Sequence, residues 1–114
     1  MTTIYHNPRC SKSRNALMLI QENGGEVEII QYMSSSMSTG ELSSLLEMLQ
    51  IKPIQLVRKG EEVWKEKFQG KSLSDTELIQ AMIEYPKLIE RPIIVKNREA
   101  IIGRPPENVL QFFD

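Results

Sequence analysis

The sequence predicts an α/β fold in which a β-α-β unit and a closing β-β-α unit are separated by a block of helices. Three observations predict it. β-branched runs at residues 2–6 and 27–32 flank an amphipathic stretch, two capping-box patterns open helices in the middle, and two short apolar runs near the end surround a polar turn. With 114 residues, 40% of them hydrophobic and 25% charged, the chain has the make-up of a single globular domain over residues 1–114.

Thr2–His6 is short and β-favouring, and Asn7-Pro8 breaks it. From Ser11 to Glu22 the residues Ala16, Leu17, Leu19 and Ile20 fall on one helical face, and Gly24 and Gly25 supply a stop. Val27–Tyr32 reads as a second strand, so that strand, helix and strand make a parallel βαβ unit. Ser38-Thr39-Gly40-Glu41 then starts a helix carrying Leu42, Leu45, Leu46 and Leu49. Pro53 introduces a segment whose Ile54, Leu56, Val57 and Trp64 are expected to pack inward. Ser74-Asp75-Thr76-Glu77 repeats the capping pattern before Leu78, Ile79, Met82 and Ile83, and Pro86 ends that helix. Ile93–Val95 and Ala100–Ile102 suit an antiparallel hairpin, and Pro105-Pro106 precede a last helix with Val109, Leu110, Phe112 and Phe113. This order is the plan of a thioredoxin-like fold with a helical insertion in its middle.

Composition narrows the function. A net charge of −1 gives no overall field toward nucleic acid or anionic lipid. No apolar run approaches the roughly 20 residues of a spanning helix, and residues 1–7 do not read as a signal peptide. A single cysteine rules out an internal disulfide and a Cys-only metal cage. No metal or bound cofactor is expected, and a lone free thiol suits the reducing cytoplasm.

That cysteine, Cys10, falls where the first strand gives way to the first helix. A helix start presents unpaired N–H groups and a partial positive charge, and both favour the thiolate. Arg9, Lys12 and Arg14 surround it in sequence, which makes a reactive thiol a better reading than a small buried hydrophobe. The same N–H groups suit an oxyanion beside the sulfur. Ser13, three residues on, either donates its hydroxyl to the thiolate or is an ordinary first-turn serine. His6 either orients a substrate and helps the thiolate or is a polar surface residue, the commoner fate of a histidine at a strand end. Ser13 also stands where a Cys-x-x-Cys site carries its second thiol, so redox turnover requires a thiol from outside the chain.

The segment Ile4-Tyr5-His6-Asn7-Pro8-Arg9-Cys10-Ser11-Lys12-Ser13-Arg14 resembles the N-terminal signature of the ArsC family of glutaredoxin-dependent arsenate reductases. The likeness continues at Leu56-Val57-Arg58-Lys59, at residues 90–95 and at residues 103–107, in family order and over nearly the whole chain. The resemblance implies that Cys10 is the nucleophile and that Arg58, Arg91 and Arg104 bind the arsenic oxyanion. His6, Ser13 and Arg14 take supporting roles, and Pro92 is expected to be cis. It further implies glutathione as co-substrate and glutaredoxin as partner. Arginine's planar fork of donors suits such an anion, although residue pattern alone reads Arg58 as a helix-surface charge and Arg91 and Arg104 as loop residues before prolines. Ser11-Lys12 stands where the best-known members have Gly-Thr, and the chain ends soon after its last predicted helix; both resemble a shorter ArsC-like subgroup. Other readings stay open: an Spx-like regulator that binds RNA polymerase, a thiol oxidoreductase acting on another substrate, and a monothiol glutaredoxin-like module that binds glutathione or an iron–sulfur cluster.

Overall fold

The computed structural model describes residues 1–23, 26–34 and 37–113. Its contacts divide the chain into two compact units, Met1–Ser35 with Arg91–Asp114, and Ser36–Glu90.

The first unit is built on a four-stranded mixed sheet, and its fold is thioredoxin-like. Strands β1 (Thr2–Tyr5), β2 (Val27–Ile30), β3 (Ile93–Lys96) and β4 (Glu99–Ile102) lie in the order β2-β1-β3-β4. β1 pairs parallel to β2, with Ile4 opposite Ile29, and antiparallel to β3, with Ile4 opposite Ile94. Helix α1 (Ser11–Glu22) connects β1 to β2, as its apolar face predicts. Ala16 and Ile20 from that face join Ile4, Ile94 and Val109 in a fully buried cluster, edged by Leu17, Leu19, Ile101 and Phe112. Burying each large aliphatic chain contributes about 1.5–3 kcal/mol, so this cluster holds α1 onto the sheet.

The α1 stop predicted at Gly24 and Gly25 lies outside the described residues. Asn23 caps the helix, its Nδ2 donating to Leu19 O at 2.8 Å. β2 is shorter than expected because Gln31 O accepts from Ser34 N–H in a turn. The β3–β4 hairpin turns on two residues, Asn97 and Arg98, both with positive φ, the conformation that matches the twist of a tight hairpin. The last segment, Pro106–Phe112, is a 3₁₀ helix and not an α-helix. Its bonds close on residues three back, with Asn108 N–H on Pro105 O and Phe113 N–H on Leu110 O. Lys96 ties it to β3: Nζ donates to Phe112 O at 2.7 Å and lies 4.5 Å from the centre of the Phe113 ring.

The second unit is the helical insertion: α2 (Thr39–Leu49), α3 (Pro53–Leu56), α4 (Glu62–Lys67) and α5 (Asp75–Glu84), then a 3₁₀ turn at Pro86–Leu88. Ser38 Oγ accepts from Glu41 N–H, and Ser74 and Glu77 form the full reciprocal capping box of α5. Packing of α5 against α2, α3 and the 3₁₀ turn involves Leu42, Leu45, Leu46, Leu56, Leu78, Met82 and Leu88, all buried. Trp64 is also buried, as its pattern predicts, while Ile54 is only half-buried. Val57, just after α3, pairs with Ile89 near the end of the unit in a short antiparallel bridge. No helix among the described residues is long and apolar enough to cross a membrane.

Candidate active site

The loop from β1 to α1 is a hydrogen-bonded turn with proline at its second position. Cys10 N–H donates to Asn7 O at 3.0 Å, and Asn7 Oδ1 accepts from Arg9 N–H at 3.0 Å. Arg14 Nη1 closes the loop from the helix side by donating to Pro8 O at 2.8 Å. The turn delivers Cys10 to the N-cap of α1 in extended conformation, half-buried. Burial raises the cysteine pKa, but four groups outweigh it: the backbone N–H of Ser13, a side-chain hydrogen bond from Arg91, the backbone N–H of Lys12 and the charge of Arg104. The thiol is held below its ordinary value, so the thiolate is favoured.

These partners refine what residue spacing suggests. The cations that act on the sulfur are Arg91, just before β3, and Arg104, just after β4, both more than 80 residues away in sequence, and Lys12 acts through its backbone. Arg104 Nη2 donates to Cys10 Sγ at 3.4 Å, while its Nε donates to Arg91 O at 2.7 Å. Arg9 and Arg14 are exposed, and Arg14 acts instead on His6.

His6 is not the surface residue that its strand-end position suggests. It is only 5% exposed, and burial followed by the Arg14 charge lowers its pKa. Its Nδ1 lies 2.6 Å from Ser13 Oγ, which also accepts from Asn7 N–H at 3.1 Å. The two side chains share a short hydrogen bond whose direction follows the imidazole tautomer. The Ser13 hydroxyl bridges His6 and Asn7, and the serine reaches the sulfur by its backbone N–H.

The Arg91-Pro92 bond is cis, and so is Arg104-Pro105. Pro92 is buried, and its carbonyl accepts from Gly103 N–H at 2.9 Å. Arg58 lies in the second unit just after the Val57–Ile89 bridge, where its N–H donates to Leu88 O. Its Nε lies 3.3 Å from Glu61 Oε2, and its Nη1 lies 3.1 Å from Glu90 Oε1. Two residues outside the predicted site set shape the loops: Asn7, and Asn108, whose Nδ2 donates to Ile102 O and Arg104 O. Asn-Pro before a helix start is a legible signal for the first, whereas nothing in the local sequence marks the second. Among the described residues, no group of three His, Cys, Asp or Glu side chains is placed to share a metal ion.

A thioredoxin-like fold with an ionisable cysteine at a helix start, with two arginines acting on its sulfur, defines a thiol protein with a cationic site around that sulfur. Within that class the chain belongs to the ArsC family, whose model matches residues 5–112. It is 49% identical over 110 residues to the uncharacterized protein YfgD of Escherichia coli (strain K12), covering 95% of this chain and 92% of that one. It is 42% identical to an arsenate reductase of Haemophilus influenzae, with 95% of each chain covered. The solved structure of an arsenate reductase from Vibrio cholerae superimposes with a TM-score of 0.92 at 47% identity, covering 96% of this chain and 95% of the other.

Proposed function

We propose that the protein is a cytoplasmic arsenate reductase that works through Cys10 and draws its second thiol from glutathione, with glutaredoxin restoring the enzyme. The observation that carries this reading is the convergence on one sulfur of the α1 N-terminus and the Arg104 guanidinium, 3.4 Å away. The relatives described as arsenate reductases support arsenate as the anion.

In this scheme arsenate, a tetrahedral oxyanion, settles against the first-turn N–H groups and the two arginines, which offset its charge. The Cys10 thiolate attacks arsenic, forming an S–As bond and releasing an oxygen as hydroxide or water. The glutathione thiolate then attacks the Cys10 sulfur. An S–S bond forms, and the S–As pair leaves with arsenic, which departs as arsenite, reduced from As(V) to As(III). Glutaredoxin's thiolate attacks the glutathione sulfur of this mixed disulfide and returns the Cys10 thiolate. The scheme uses no bound cofactor. Ser13 and His6 support it by keeping the loop and the first-turn N–H groups in place, and Arg14 by holding Pro8. Arg58 is the third anion-binding arginine by resemblance to the family.

The test is a reconstituted assay with arsenate, glutathione, glutaredoxin and an NADPH-coupled regenerating system. Turnover is expected from the wild-type chain and none from Cys10→Ser. Full activity in the variant would remove Cys10 as nucleophile, and wild-type protein inert toward arsenate would remove the substrate assignment.

A further inference from the structure

We propose that Asn108 is a positioning residue for the Cys10 site, its carboxamide holding the short backbone segment from which the Arg104 guanidinium reaches the sulfur. Asn108 sits near the start of the 3₁₀ helix Pro106–Phe112, half-buried. Its Nδ2 donates to two carbonyls at once, Ile102 O at 3.2 Å and Arg104 O at 3.0 Å. A primary amide nitrogen carries two hydrogens, one for each acceptor. The opposite orientation would set Oδ1 against two carbonyl oxygens, so the pair of acceptors fixes the amide's direction.

The segment held in this way is only three residues long. Ile102 ends β4, Gly103 N–H donates to Pro92 O, and Arg104 follows. Arg104 is therefore secured at both ends. Arg91 O takes its Nε at 2.7 Å, and Asn108 takes its own carbonyl at 3.0 Å, while Nη2 points at the sulfur. Without the Asn108 bonds the arginine keeps its charge but gains backbone freedom, and its hydrogen bond to the thiolate is made for a smaller fraction of the time. Asn108 touches neither the sulfur nor the anion in this account; it acts through Arg104. A serine or alanine cannot serve two carbonyls, and an aspartate carries no donor to give them.

The proposal rests on Cys10 being the reactive thiol, but its test needs no arsenate. The probe is iodoacetamide, and the readout is the rate of Cys10 alkylation against pH in the folded chain, with thermal unfolding followed alongside. Because the thiolate is the attacking form, Asn108→Ala is expected to slow alkylation at neutral pH by about two- to tenfold, the range of one hydrogen bond's net worth. Asn23→Ala removes an amide–carbonyl bond of the same kind from the other end of α1 and is expected to leave the rate unchanged. In an Arg104→Ala background, Asn108→Ala is expected to add no further slowing. A wild-type rate in folded Asn108→Ala overturns the proposal, as does full slowing in the Arg104→Ala background. Should the alanine variant fail to fold, the near-isosteric Asn108→Leu, which lacks both donors, carries the same test, and a wild-type rate from it overturns the proposal equally. Absence of arsenate turnover in the wild-type chain would sink the proposed substrate and leave this result standing.

Discussion

Gly103 lies between the end of β4 and Arg104, where the Pro92 ring and side chains from β3 and α1 close over its Cα. A Cβ built there lies 2.8 Å from Pro92 Cγ, 3.0 Å from Ile94 Cδ1 and 3.4 Å from Ala16 Cβ. The Ile94 methyl is the end of a flexible chain and can yield, but it is fully buried, and the Pro92 ring has little room to turn. Forcing a methyl group into such a space costs about 1–3 kcal/mol. Against this, the φ of Gly103 is not in the left-handed region, so alanine restricts the unfolded chain and returns about 0.4–1 kcal/mol. The expected net loss for Gly103→Ala is about 1–2 kcal/mol, or a fall in Tm of about 4–8 °C for a domain of this size. Urea unfolding followed by circular dichroism measures the first quantity and a thermal scan the second. The loop that carries Arg104 must shift to admit the methyl, so Cys10 alkylation should slow in the same variant. Stability within about 0.5 kcal/mol of wild type, a change typical of a surface site, would refute the close-approach argument.

Two further predictions follow from the site. Arg104→Ala should slow Cys10 alkylation at neutral pH, and Arg104→Lys should recover only part of the loss: one ammonium cannot serve Arg91 O and the sulfur as Nε and Nη2 do together, so a wild-type rate in the lysine variant would count against the two-point hold. His6 has a folded-state pKa below its ordinary value of about 6.5, so its neutral form stabilises the fold above that pH, and the contribution is lost as pH falls through the lowered folded value. Stability measured by urea unfolding should therefore decline as pH drops below about 6.5, and His6→Gln should flatten that decline; an equal slope in both proteins would show that His6 is not the titrating group.

Much of the fold can be read from local pattern because its elements declare themselves locally. The apolar face of α1, the Ser74–Glu77 box and the two-residue turn at Asn97-Arg98 each need only a few neighbours in sequence. The site is less legible for the opposite reason. Arg91 and Arg104 reach Cys10 across the sheet order β1-β3-β4, and an arginine before a proline looks the same whether it faces solvent or a thiolate. The family resemblance singled them out where residue chemistry alone did not. His6 misled because a polar residue at a strand end usually faces water, and only the buried partner Ser13 explains why this one does not. Asn108 gave no warning at all: its two acceptors are backbone carbonyls, which every residue supplies.

The buried hydroxyl of Ser13 bears on how this single-thiol chemistry is retained. Ser13 occupies the one position from which a second cysteine in the first turn would pair with Cys10, and its side chain is wholly enclosed. A thiol there is larger, accepts the Asn7 amide poorly and is a weaker hydrogen-bonding partner for His6. A second thiol at this position would therefore weaken the junction that shapes the cysteine loop. A single-thiol site is in this sense favoured by what surrounds it, and a second cysteine here would call for new partners for His6 and Asn7.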